Sequence, residues 1–307
     1  MSDKTYTTPA ALRAALRQAA QTMSKQHGMP VAQLQDIWYF NRLAARVFIA
    51  EPDDWLIKGG QALLVRYAGA ARLSRDIDLQ SASPDRTAEQ ARQALLTAAA
   101  MDLGDFLSFT PTRFDAHSDG DRGGAQHFDV ALGPTQAAHI KVDLVVGRNL
   151  MGIPEVRELT PPVAVEWPSD WPMVRLYPVL DHIADKICAM YERHGENGKF
   201  ASNRYRDLAD LLLLTQQETV QAAAARDAIR REANRRTATG IPVQLPPRFE
   251  APAPDWPTGY PQQATLVLGL NGCRTYEEAA RAAGAFLDPL LDGSATGCWQ
   301  PDRATWE

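Results

Sequence analysis

The chain has 307 residues, 45% hydrophobic and 22% charged, ordinary values for a globular protein able to bury a real core and to form two lobes. Its formal net charge of −5 excludes a generally basic nucleic-acid coat, while a local basic groove stays compatible because counterion release depends on nearby Lys and Arg. Cys188, Cys273 and Cys298 are too few and too far apart for a disulfide framework or a zinc ribbon, so a reducing cytoplasm is expected; no signal-peptide core or membrane-length apolar run is visible.

Thr8-Pro9 reads as a helix cap followed by a first-turn proline, opening an Ala-rich helix over residues 10–23. His27-Gly28-Met29-Pro30 breaks it. A second helix is expected over residues 31–50, with Leu34, Ile37, Trp38, Leu43, Val47 and Phe48 on its apolar face. Both are expected to brace the strand–turn–helix unit beyond them, and Asp53-Asp54 reads as a solvated turn. Trp55-Leu56-Ile57 reads as a buried strand that ends at Lys58 and Gly59-Gly60, after which residues 61–67 form a good helix.

Asp76-Ile77-Asp78-Leu79 reads as a second strand in which carboxylates and aliphatics alternate. Side chains two apart on a strand share a face, so Asp76 and Asp78 project together. Adjacent carboxylates raise each other's pKa unless a cation lies between them. Carboxylates combined with nucleotide phosphates are the usual setting for Mg²⁺. The Gly59-Gly60 turn offers backbone N–H groups and a helix N-terminus to phosphates. Either motif alone reads as a solvated strand end or a helix-entry turn; together they point to nucleotide handling.

From Ser83-Pro84 a helix is expected to about residue 101, then strands over 106–114, 127–132 and 139–146. The glycine-rich loop His117–Gly124 resembles a calcium loop only faintly and lacks the glutamate that such a loop needs. On the third strand Asp143 is a candidate third carboxylate, with a strand-end cap as the alternative. His127 and His139 lack metal-ligand spacing and read as ordinary strand residues. Residues 151–178, rich in Pro and Trp, read as a crossing segment between a core of residues 1–150 and a helical lobe of residues 179–307.

In that lobe Asp181, Asp185 and Lys186 lie on an amphipathic helix. A later helix carries Asp207 and Asp210, three apart and so able to share a face. Arg226, Arg230, Arg231, Arg235 and Arg236 form a basic stripe that reads either as a solvated face or as a phosphate-tracking surface. The proline-rich run 241–262 is expected as an extended strap. A last helix over 275–291 opens with the capping box Thr275-Tyr276-Glu277-Glu278, and the tail beyond it is expected to be loosely held, with Trp299 and Trp306 as its tacks.

The Gly-Gly and Asp-x-Asp motifs resemble the signature of the nucleotidyltransferase superfamily with the DNA polymerase β-type fold, although the gap from Gly60 to Asp76 is longer than in many members. The segments Lys58–Leu63 and Arg72–Leu79, with Lys186 preceding Arg204-Tyr205-Arg206-Asp207-Leu208-Ala209-Asp210-Leu211, resemble the AbiEii/AbiGii toxin family, which includes the MenT nucleotidyltransferase toxins. The resemblance implies an α/β fold, with a polymerase β-like core sheet flanked by helices and a mostly helical C-terminal lobe. It implies metal-dependent nucleotidyl transfer by a toxin of a toxin–antitoxin or phage-defence pair, with a cognate antitoxin as partner. Asp76, Asp78 and Asp143 would hold Mg²⁺; Gly59, Gly60, Ser74 and Lys186 would bind the NTP; Asp207 would hold the Lys186 ammonium. From the MenT branch the donor is expected to be CTP or UTP and the acceptor the 3′ end of tRNA, with Arg230, Arg231, Arg235 and Arg236 as candidate RNA contacts. The alternatives are a small-molecule or protein hydroxyl acceptor, or a catalytically silent antitoxin-binding protein.

Overall fold

The structure is a computed structural model and describes residues 6–117 and 122–307. The chain divides into two compact units: Met1–Ala68, Leu73–Asn149 and Pro154–Tyr177 form the first, and Gly69–Arg72, Leu150–Ile153 and Pro178–Glu307 the second.

The first unit opens with α1 (Pro9–His27), capped by the Thr8 hydroxyl accepting from the Ala11 N–H and closed by Gly28 in the left-handed conformation. In α2 (Val31–Ala50) the expected apolar face is buried. Arg42 and Arg46 are buried with it, each within 2.7 Å of the Asp105 carboxylate. Beyond α2 the chain forms β1 (Trp55–Ile57), α3 (Gly59–Tyr67), β2 (Ile77–Ser81), α4 (Ala88–Ala99), β3 (Leu107–Ala116), β4 (Gly123–Leu132), β5 (Thr135–Val145), β6 (Glu155–Glu158) and β7 (Met173–Leu176). The seven strands form one sheet in the order β3-β4-β5-β2-β1-β7-β6. It is mixed: β2 runs parallel to β5 and β1 parallel to β7, and the other neighbours are antiparallel.

The alternation along β4 and β5 gives the sheet two unlike faces. Phe128, Val130, Ile140, Val142 and Leu144 are buried, whereas His127, Asp129, Lys141 and Asp143 between them are only partly buried or exposed. Such a pattern marks a sheet with one face on the core and one face toward solvent. Asp143 lies on the more open face.

The structure corrects several expectations. α4 begins at Ala88 and not near Ser83, because Thr87 and Gln90 form a reciprocal capping box that fixes the start locally. Gly123 and Gly124, expected in a loop, belong to β4; a Cβ on Gly123 would lie 1.8 Å from the Leu144 carbonyl oxygen. Residues 118–121, on which the faint calcium-loop reading falls, lie outside the described residues. Residues 154–177, expected to cross between lobes, instead contribute β6 and β7 to the sheet.

The second unit contains α5 (Val179–Met190), β8 (Arg193–His194), β9 (Phe200–Ala201), α6 (Tyr205–Gln217), β10 (Val220–Gln221), α7 (Ala222–Ala238), α8 (Trp256–Ala264), α9 (Tyr276–Leu291), β11 (Cys298–Gln300) and β12 (Thr305–Trp306). The expected extended strap is helical over α8. Pro257 falls in the first turn, where its missing N–H costs nothing, and burial of Trp256 and Tyr260 offsets the interior Pro261. α9 starts with the expected Thr275 capping box. The tail is firmly held: β11 pairs with β10 and β12 with β11, Trp299 Nε1 donates to the Thr215 carbonyl at 2.7 Å and Trp306 Nε1 to that of Phe286 at 3.1 Å. Among the described residues no helix is long and apolar enough to cross a membrane.

Candidate active site

The parallel pairing of β2 with β5 sets Asp78 directly opposite Asp143, and opposed residues in a ladder share a face. Asp76, just before β2, joins them. Each of the three offers a carboxylate oxygen, and these oxygens lie within 4.8 Å of one another. Ser74, almost fully buried, donates toward the Asp76 carbonyl at 2.9 Å and carboxylate at 3.3 Å, which orients that side chain. Lys141, two residues before Asp143 on the same face, places its ammonium 2.7 Å from Asp143 Oδ2.

Burial is the main force pushing the Asp78 carboxyl up to about 6, and the charges of Asp76 and Asp143 add to it; Lys58 and Lys141 offset only part of the rise. The cluster therefore carries more negative charge than its own lysines neutralise. A set of carboxylates without softer donors suits a hard divalent cation such as Mg²⁺, and Asp76, Asp78 and Asp143 are the residues that would hold it.

The raised Asp78 carboxyl makes metal-free protein less stable as pH rises. The folded state keeps a proton on Asp78 that the unfolded chain, with a carboxyl near 3.8, has already lost. The contribution of this group is therefore fully present below about pH 4 and is lost as pH rises through about 6. Asp78→Asn removes that loss and raises stability at pH 7 by up to about 2 kcal/mol, with allowance for solvent screening at a half-buried site. Thermal melts of both proteins in chelator across this range check it; parallel pH profiles would contradict it.

The Gly59 turn is built against Asp78. Gly59 has φ 58°, and a Cβ there would lie 1.8 Å from Asp78 Oδ2. The Lys58 N–H donates to the Asp78 carbonyl at 2.8 Å. The N-cap Lys58 side chain makes no capping hydrogen bond at α3, and the positive end of the helix dipole lies beside the carboxylates. Gln61 in the first turn of α3 donates to Asn41 of α2 at 2.5 Å, which ties the turn to the bracing helix.

In the second unit Lys186 on α5 is buried, with its ammonium 2.7 Å from Asp210 and 3.3 Å from Asp207 on α6. Arg72 makes two hydrogen bonds to Asp210, at 3.1 and 2.9 Å, and Arg204 lies 2.5 Å from Asp207. Burial works to raise both carboxyls; Arg72 with Lys186 at Asp210, and Lys186 with Arg204 at Asp207, outweigh it and hold both below the usual range.

Residues 42–270 match the family of AbiEii nucleotidyl transferase toxins of type IV toxin–antitoxin systems. The chain belongs to the AbiEii family. It is similar to the solved structure of MenT4, a nucleotidyltransferase toxin from Mycobacterium tuberculosis H37Rv, with a TM-score of 0.52 and 15% identity over 92% of this chain and 98% of that one. At that identity the likeness concerns the fold, which is mixed α/β as expected. No functionally curated protein matches the chain. This AbiEii protein is thus a nucleotidyltransferase toxin by family, and its acidic triad is consistent with metal-dependent chemistry.

The arginine stripe of this AbiEii chain is not one continuous face. Arg236 turns inward to Glu192, Glu232 and Asp185. Arg235 pairs with Glu232 at 2.6 Å and Arg230 with Asp227 at 2.7 Å, while Arg226 donates to the Ala295 carbonyl at 2.5 Å. Arg230 and Arg231 are the exposed members. The acidic compensation that the sequence hid comes from Asp185 and Glu192, remote in the chain, as well as from Asp227 and Glu232. Two further site residues were missed. Lys58 sits with its ammonium 4.0 Å from the centre of the Tyr177 ring and acts on Asp78; its signal was its place immediately before the Gly-Gly pair. Lys141 was signalled by its two-residue offset from Asp143.

Proposed function

We propose that this AbiEii toxin transfers a nucleoside monophosphate from an NTP, CTP or UTP, to the hydroxyl at the 3′ end of tRNA, and that a cognate antitoxin restrains it. The observation that carries the reading is the cluster of Asp76, Asp78 and Asp143 within 4.8 Å against a turn where glycine alone fits. When bound, Mg²⁺ supplies charge neutralisation at the triphosphate and a template for the attacking and leaving oxygens. The N–H groups at Gly59 and Gly60 bind phosphate oxygens. Ser74 holds Asp76 in orientation. Asp143 accepts the proton of the acceptor hydroxyl as its oxygen bonds to the α-phosphorus and the bond to pyrophosphate breaks. Incubation with each labelled NTP and total tRNA, total protein or no acceptor tests it: label on tRNA is expected, and label on protein or on a small molecule alone would overturn the choice of acceptor.

Lys186 is proposed to offset phosphate charge as pyrophosphate departs, its position fixed by Asp207 and Asp210. Lys186→Ala then costs roughly 2–4 kcal/mol of transition-state stabilisation, the magnitude of a lost charge-stabilising donor. Lys186→Arg loses less, because it keeps the charge but not the compact ammonium. Single-turnover transfer rates, with melting temperature as the folding control, check this. A folded Lys186→Ala that transfers at the parental rate would make Lys186 an ion-pair residue only.

A further inference from the structure

The solvent-facing side of β3, β4 and β5 carries a second feature. Arg75, Thr112, Arg113, His127, Phe128, His139, Ile140 and Lys141 line an open groove of about 370 Å³. Its polar residues are mostly basic or imidazole. Along β5, His139, Lys141 and Asp143 are two apart and share one face. In the β4 register His127 lies opposite Lys141 and Asp129 opposite His139. Across the irregularity between Pro111 and Phe114 of β3, Arg113 reaches His127 at 3.3 Å. The groove thus runs outward from Asp143 on the triad's own face.

Its direction is informative. In the sheet order β5 lies on one side of β2, and β1, which leads into Gly59, lies on the other. The helix N-terminus that suits the triphosphate is therefore on the β1 side of the triad, and the groove is on the β5 side, next to the carboxylate proposed to take the acceptor's proton. We propose that this groove receives the acceptor strand: a single-stranded nucleic-acid end whose phosphates lie against Arg75, Arg113 and Lys141 and whose bases lie against the His127 and His139 rings. This rests on the nucleotidyl-transfer reading above.

The charge balance favours positioning over bulk attraction. Arg113 and His127 share Asp115 at 2.9 and 3.1 Å, His139 holds Asp129 at 2.6 Å and Lys141 holds Asp143 at 2.7 Å. These carboxylates fix the donors in place. Arg75 is exposed, and none of the ion pairs among the described residues involves it. Arg113 and His139 keep 66% and 75% of their side-chain surface exposed, so a strand can reach them. Cations interleaved with flat rings are what sequence-tolerant single-strand binding uses. An acidic peptide would use the cations and leave the rings idle.

The test is a binding titration of a labelled single-stranded RNA oligonucleotide, in parallel with tRNA, single-stranded DNA and polyglutamate, at several salt concentrations. The proteins are the parent, Arg75→Gln/Arg113→Gln, His139→Ala and Arg230→Gln/Arg231→Gln. The parent is expected to bind RNA. In Arg75→Gln/Arg113→Gln the slope of log affinity against log salt becomes shallower by up to about 1.4, that is about 0.7 for each phosphate contact to a single strand. His139→Ala loses about fivefold in affinity with the slope unchanged. The proposal is overturned if the parent binds polyglutamate but no nucleic acid, if both groove variants bind RNA as the parent does, or if the loss appears only in Arg230→Gln/Arg231→Gln. The melting-temperature shift by Mg²⁺ with NTP is read on the same samples. Its absence in the parent would sink the transfer reading, whereas loss of RNA binding alone would not, so the two failures are separable.

Discussion

Asp76→Ala and Asp78→Ala each lower nucleotide transfer by about a thousandfold or more, the scale of losing a preorganised electrostatic element at a charged transition state, while the protein stays folded. Both side chains are half-buried carboxylates, Asp78 on β2 and Asp76 just before it. In metal-free protein each substitution removes one member of a mutually repelling set, so the melting temperature holds or rises. Mg²⁺ with NTP then raises the melting temperature of the parent and not of the variants, because only a ligand that binds the folded state adds stability. Transfer rates and melts with and without Mg²⁺ check this. Full activity in both variants would remove the triad from the chemistry.

Gly59→Ala is the second large effect, and it acts through geometry instead of charge. At φ 58° an alanine costs about 1–2 kcal/mol of backbone strain. Its Cβ would also sit 1.8 Å from Asp78 Oδ2, so the carboxylate or the turn must move. A displacement on the ångström scale at a reacting centre costs about a hundredfold in rate. Gly28→Ala separates the two contributions. That residue also has positive φ, 70°, but a Cβ there meets nothing within 4 Å. Gly28→Ala is expected to lower the melting temperature and leave transfer intact, whereas Gly59→Ala lowers both. Equal activity in the two variants would show that the close approach at Asp78 has no functional weight.

Much of this was legible in the chain because it is local. The Asp-x-Asp motif, the Gly-Gly helix entry and the alternation through Asp143 are patterns of a few residues; Asp78, Gly59 and Asp143 lie on β2, α3 and β5, with Asp76 one residue before its strand. α2 and α9 were equally plain, the first from its apolar face and the second from its Thr275 capping box. What the sequence hid depends on distant pairing. β6 and β7 are short and are separated by a proline- and tryptophan-rich stretch, so nothing nearby announces that β7 will lie parallel to β1. The partners of Arg236 come from Asp185 and Glu192, remote in sequence, so the arginine run read as a bare stripe. His127 and His139 read as ordinary strand residues because neither has metal-ligand spacing to another His or Cys. The place of His127 opposite Lys141 depends on the β4–β5 register.

The most direct measurement of the central claim is the fate of the two ends of the triphosphate. Parent protein is incubated with total tRNA, Mg²⁺ and an NTP labelled either at the α- or at the γ-phosphorus. Nucleotidyl transfer predicts α-label on the RNA and γ-label in released pyrophosphate, with both signals absent in chelator and in Asp76→Ala. Appearance of γ-label on the acceptor, or α-label transfer that survives in Asp76→Ala, would contradict it.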